Sequence, residues 1–234
     1  MDNLLELRQA VQSDLTVGDE STLDSPTTID LAINRAYRKA GALFPWSELM
    51  DAKKTTTVAG QEYYDYPQTW RSNSVWRLEV AGVRYGLEPD GSPVTFDDYK
   101  NWREDYPSSQ DKMWGNQERR YFFSPIPTAN DVEICIHGVM VTSKLDSDGS
   151  VTIFSYSMPE GNEAIVLEAV AILKNKADND KGGEFRSNEA KQILSIAWSK
   201  IAKEKAKYEK NQPFFEVPNF FGNTSSQDLR GRFN

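Results

Sequence analysis

Glu133, Cys135 and His137 alternate along residues 132–141, a stretch that reads as a β-strand, so a carboxylate, a thiol and an imidazole fall on one strand face. Residues of these types can ligate a divalent metal or serve a cysteine nucleophile. Nucleophilic catalysis, however, requires a base whose own orientation is fixed by a third group, and side chains two positions apart on one strand stand parallel. The chain has one Cys and one His. That count excludes an intramolecular disulfide, a Cys-rich zinc site and any centre needing two imidazoles. The expectation is a half-exposed strand face with one buried thiol, with no catalytic residue, metal site or cofactor.

The other candidates are weaker. Asp146-Ser147-Asp148-Gly149 begins like a calcium loop, but loop positions six and twelve are Val151 and Ser157, where glycine and glutamate are required. A polar turn between two strands is expected instead. Asp97-Asp98 reads as the capped start of a short helix, since nothing sets a glycosidase-like carboxylate separation. Asn223-Thr224-Ser225 matches a glycosylation sequon without a secretion signal, and no phosphate-binding glycine loop is present.

Aromatic residues carry more information. Tyr63, Tyr64, Tyr66, Trp70, Trp76, Tyr85, Tyr99, Trp102, Tyr106, Trp114 and Tyr121 crowd the middle of the chain. They can fill the core of a small sheet, anchor a protein partner or stack on sugar. Trp70, Trp102 and Trp114 are the candidate partner contacts. Phe214, Phe215, Phe220 and Phe221 lie in a Pro- and Gly-punctuated tail that cannot form its own core, so burial against a partner is expected there. Lys191, Lys200, Lys203, Lys205, Lys207 and Lys210 suggest a solvated helix face; lining a channel, they would touch phosphate.

These residues must be held by a chain of 234 residues with 27 Lys plus Arg against 35 Asp plus Glu, a net charge of −8. The acidic balance disfavours binding to the outside of nucleic acid. The apolar share of 38% is modest, pointing to arms and subunit contacts, while 12% aromatics with six Trp argue against wholesale disorder. Apolar runs are too short for a membrane span, and the first residues lack signal-peptide character. Assembly in the cytoplasm is the resulting expectation.

Periodicity divides the chain into three zones. Leu4, Leu5, Leu7, Val11 and Leu15 predict a first helix. Ser25-Pro26 predicts the start of a second, with Ile29, Ile33, Ala36, Tyr37, Ala40 and Leu43 on one face and Asp30 and Asn34 exposed. Residues 53–58, 75–80, 83–87, 120–123, 132–141 and 151–156 read as strands, with Ala81-Gly82 as a hairpin turn and residues 97–104 as a short helix. Pro159 opens a third long helix, and residues 190–210 carry a fourth after a break at 179–183. Each helix has one apolar stripe, so the end helices must pack together. The expected fold is α+β: an antiparallel helical bundle from residues 1–51 and 158–210, an inserted antiparallel β-sandwich or barrel at 52–157, and an extended C-terminal arm at 211–234.

Phe44-Pro45-Trp46-Ser47-Glu48-Leu49 leads into Lys54-Thr55-Thr56-Thr57-Val58-Ala59-Gly60-Gln61-Glu62-Tyr63-Tyr64-Asp65-Tyr66-Pro67. With the helices after Met158-Pro159-Glu160, this resembles the head-to-tail adaptor (connector) proteins of tailed bacteriophages over most of residues 25–210. In that group a Trp after the helix, a threonine-rich strand, a Gly-Gln turn and an aromatic-x-x-Pro step recur. The resemblance implies a non-enzymatic virion protein of the neck, forming a typically dodecameric ring between the portal protein and a downstream tail or nozzle protein. DNA would pass through without sequence-specific binding, no membrane would be involved, and the arm would grip the portal. The isolated subunit is expected to be monomeric, because closing an untemplated ring must overcome association entropy. The alternatives are a tail tube, nozzle or tail-completion subunit and, from another class, an aromatic-rich glycan-binding module.

Overall fold

The computed structural model describes residues 3–15, 25–86, 93–178 and 181–208. It is mixed α and β, with five α-helices and two four-stranded sheets among the described residues. Helix α1 (Leu4–Asp14) opens with a capping box, in which Asn3 Oδ1 accepts from the Glu6 N–H and Glu6 Oε2 accepts from the Asn3 N–H, both at 3.0 Å. Helix α2 (Pro26–Leu43) starts where expected, with Ser25 as the cap and Pro26 in the first turn. Helix α3 (Phe96–Asp105) is the short helix foreseen at 97–104, and its cap is Thr95, with Asp97 and Asp98 in the first turn. Helices α4 (Pro159–Asp178) and α5 (Lys181–Tyr208) close the described chain, α5 beginning well before Ala190.

Strand β1 (Met50–Thr56) pairs with β8 (Glu133–Val139), which also pairs with β3 (Arg77–Val80); β3 turns into β4 (Val83–Arg84), giving an all-antiparallel sheet of order β1-β8-β3-β4. At the β3–β4 hairpin Ala81 and Gly82 both have positive φ (52° and 72°), the backbone a tight primed turn requires. The second sheet has order β2-β7-β6-β5, from β2 (Tyr63–Asp65), β7 (Arg120–Ser124), β6 (Met113–Gln117) and β5 (Val94–Thr95). Its β5–β6 pairing is parallel, so the sheets are not uniformly antiparallel.

Two apolar clusters result. In one, Leu4, Leu7 and Val11 of α1, Ile29, Ile33 and Tyr37 of α2, Ile165, Ala169 and Leu173 of α4, and Ala190 and Leu194 of α5 pack with Trp46, Leu49, Leu145 and Phe154. In the other, Leu78, Ile134 and Ile136 from the first sheet meet Tyr64, Trp114, Tyr121 and Phe123 from the second. Gly138 lets the Trp70 ring approach the first sheet, since a Cβ there would sit 2.4 Å from Trp70 Cε3.

The strand expected at residues 151–156 does not form. Val151 makes only an isolated bridge to Asn3, and residues 153–157 turn. Phe154 sits in the helical cluster, its ring edge-on to Trp46 at 5.1 Å, and its N–H donates to Thr152 Oγ1. The β-branched run Val-Thr-Ile has no neighbouring strand to pair with, so side-chain hydroxyls serve its backbone instead. Residues from Leu145 onward therefore pack with the helices.

Candidate functional site

Three places in the fold bear on function. The first is the C-terminal end of α2. Helix ends leave their last four carbonyls without intrahelical partners, and no glycine cap follows Leu43. Trp46 Nε1 donates to Ala40 O at 2.9 Å, Arg71 Nη1 donates to Ala42 O at 3.4 Å, and Arg71 Nη2 donates to Gly41 O. Arg71 Nε also donates to Met140 O at 3.1 Å, just past β8. One guanidinium thus ties the helix end to the sheet and places positive charge where the helix dipole is negative. Burial holds this guanidinium below its ordinary pKa. Around Trp46, Phe44 and Trp198 of α5 stack at 5.4 Å with planes 6° apart, and Trp198 meets Trp46 edge-on at 5.6 Å. The Phe-Pro-Trp segment is therefore the joint at which α2, α5 and the first sheet meet.

Replacing Arg71 by Met keeps the aliphatic stem and removes all three donated bonds. Charge-assisted bonds contribute about 1.5–3 kcal/mol each, less what water recovers at a part-exposed site. A loss of about 2–3 kcal/mol in urea unfolding is expected; a change below 0.5 kcal/mol, the scale of ordinary surface substitutions, would contradict this capping role.

The second place is the outer face of the first sheet. Ile134 and Ile136 point into the core, so Glu133, Cys135 and His137 face outward as the alternation requires. They do not simply stand parallel. Cys135 Sγ lies 3.7 Å from His137 Nε2, and the third member is Glu79 of β3, the cross-strand partner of Cys135. Donor atoms of Glu79, Cys135 and His137 all lie within 4.8 Å of one another. Glu133 is instead ion-paired with Lys54 at 3.0 Å. The thiol is half-buried rather than buried. Burial and the neighbouring Glu79 push the Cys135 thiol up, and burial, with Arg77 next, holds His137 below its usual value, so the imidazole is neutral near pH 7.

The third is the exposed apolar surface. Phe185 (71% exposed) and Ile196 (51%) lie on α5, eleven positions apart, which on an α-helix places them within about 20° of one face. Ser199 and Lys203 continue that exposed stripe. At the sheet end, Tyr63 is exposed beneath the Arg120 guanidinium, 4.9 Å from its ring centroid. Lys191 and Lys200 are exposed as a solvated face requires, Lys200 lying 3.3 Å from Glu160.

The aromatic candidates separate clearly. Trp70 and Trp114 are fully buried in the β core and offer no surface to a protein partner or a sugar. Their spacing in the sequence could not distinguish a core ring from a contact ring. Trp102, on α3, is half-buried and packs beside Tyr106. Phe214, Phe215, Phe220 and Phe221 lie outside the described residues. Asn34, expected at an exposed turn, is buried; its role emerges only with Leu145 in place. The calcium-like Asp146–Gly149 segment is a polar turn, with Ser150 N donating to Ser147 O at 2.9 Å, but it leads from a sheet toward helices rather than between strands. Asp148 there binds Arg8, which also grips Asp30 through two bonds of 2.8 and 2.9 Å.

Comparison with known sequences identifies a family. The profile of the SU10 adaptor protein family matches residues 2–206, both helical ends and everything between them. The chain belongs to the SU10 adaptor protein family. It is thus a bacteriophage adaptor, a structural, virion-associated protein, as the sequence resemblance implied. No curated protein matches this adaptor. None of its helices, among the described residues, is long and apolar enough to cross a membrane.

Proposed function

We propose that this adaptor forms a ring in the virion neck, docking on the portal protein and receiving a downstream tail or nozzle protein, so that the ring continues the DNA channel. The observation that carries the reading is the adaptor-family match across residues 2–206. The subunit acts as a scaffold without catalysis. Its end helices form a helical bundle and its two sheets a sandwich-like insertion, a reading supported by the two separate apolar clusters.

Ring neighbours would bury the Phe185–Ile196 stripe of α5, since a large apolar side chain left 71% exposed on a helix is a natural docking anchor. Each contact is modest, and ring closure on the portal makes the contacts cooperative through multivalency. A subunit of net charge −8 would let DNA pass without gripping it.

The arm at residues 211–234 would insert its four Phe into the portal. Removing these residues is expected to abolish capture of the adaptor by purified portal in a pull-down while leaving its circular dichroism unchanged. Undiminished capture would sink the role of the arm.

A further inference from the structure

The outer face of the first sheet brings together three metal-ligating side chains that the proposed scaffold function does not call on. Glu79 and Cys135 are directly opposite across the β3–β8 ladder, where Cβ atoms lie about 4.5–5.5 Å apart, and His137 is the next residue on the same face. We propose that Cys135, His137 and Glu79 bind one zinc-type divalent cation, with solvent completing the coordination. A tetrahedral zinc with bonds of about 2.3 Å to sulfur and 2.0–2.1 Å to nitrogen separates those two atoms by roughly 3.5–3.6 Å. The Sγ–Nε2 distance is already 3.7 Å.

The donor set is selective. A thiolate with an imidazole and one carboxylate suits zinc or cobalt and not calcium or magnesium, which demand oxygen ligands. Three cations border the cluster, Arg77 standing opposite His137 on β3. Arg77 donates two bonds to Oε1 of Glu79, so those two bonds occupy only one of the carboxylate's oxygens. Lys54, opposite Cys135 on β1, is held by Glu133. Arg84, opposite Glu79 on β4, is the remaining cation on this row. On binding, the Cys135 thiol gives its proton to solvent and its sulfur lone pair to the metal. The cation would then clamp β3 to β8.

The test is titration of the reduced, chelator-treated full chain with Co(II), read by optical spectroscopy, and with Zn(II), read by competition against a chromogenic chelator. One Co(II) per chain with tetrahedral visible bands and a thiolate-to-cobalt charge-transfer band is expected. Because Cys135 is the single cysteine, that band reports this site alone. Cys135→Ser should remove it, and His137→Gln or Glu79→Gln should weaken zinc binding at least as much as the about 10–100-fold typical of losing an outer-shell partner. Glu104→Gln, on α3 and away from this sheet, should leave binding intact. A readout needing no variant is alkylation of Cys135 in the native chain, which Zn(II) should slow at least tenfold. Absence of the charge-transfer band at stoichiometric Co(II), or an alkylation rate indifferent to zinc, overturns the proposal.

Discussion

Trp46→Ala is expected to remove about 3–5 kcal/mol of folding stability, the range for truncating a large buried aromatic side chain. The ring is fully buried, and its edge contacts reach Phe44 at 5.4 Å, Phe154 at 5.1 Å and Trp198 at 5.6 Å. Those partners come from the α2 exit, the turn before α4, and α5, so no single neighbour can collapse into the space left behind. The substitution also strips Ala40 O of the indole N–H that satisfies it. With a typical domain stability of about 5–15 kcal/mol, the variant would be marginal at physiological temperature. Urea unfolding followed by far-ultraviolet circular dichroism should show the midpoint fall with the slope unchanged. Trp46→Phe, which keeps a ring but loses the donor, should fall between the variant and the native chain. A loss below 1 kcal/mol for Trp46→Ala would mean that this joint does not hold the helices together.

Asn34→Leu is expected to cost about 2–5 kcal/mol although it keeps the branched four-atom side-chain skeleton and raises hydrophobicity. The Asn34 amide behaves like a neighbouring peptide group: Oδ1 accepts from the Leu145 N–H at 2.8 Å, and Nδ2 donates to Leu145 O at 3.0 Å and to Asp30 O at 2.9 Å. Leucine would leave the Leu145 N–H and C=O both buried and unpaired, at about 1–3 kcal/mol each. On apolarity alone the substitution should stabilise, so the sign of the change decides between the two accounts. Hydrogen exchange at the Leu145 amide offers a local check. Its protection should drop in Asn34→Leu more than at amides of α5.

The contrast between Trp46 and Asn34 shows what the sequence conveys. Features resting on local chemistry were legible: Ser25-Pro26 at the start of α2, the Ala81-Gly82 turn, the apolar stripes of α1 and α2, and the Phe-Pro-Trp segment that carries the family resemblance. Features made by residues far apart were not. Asn34 and Leu145, like Arg71 and the end of α2, meet only because β8 returns between β1 and β3. The same return places Glu79 beside Cys135, so the strand alternation gave two donors of the cluster correctly and assigned Glu133 in place of the third. Residues 151–156 have strand propensity but no strand to pair with, and propensity yields to packing there. Trp70 and Trp114 were undecidable for a related reason, since ring density in the sequence does not reveal which rings turn inward.

Assembly of this adaptor as a ring on the portal is the proposal on which its function rests. The most direct measurement is to mix the purified full chain with purified portal assemblies and image the mixture by electron microscopy with rotational averaging. The expected result is monomeric adaptor alone and, in the mixture, a second ring stacked coaxially on one end of the portal, enclosing an open channel. Portal particles that stay bare at saturating adaptor, while the same preparation decorates isolated tails, would contradict it.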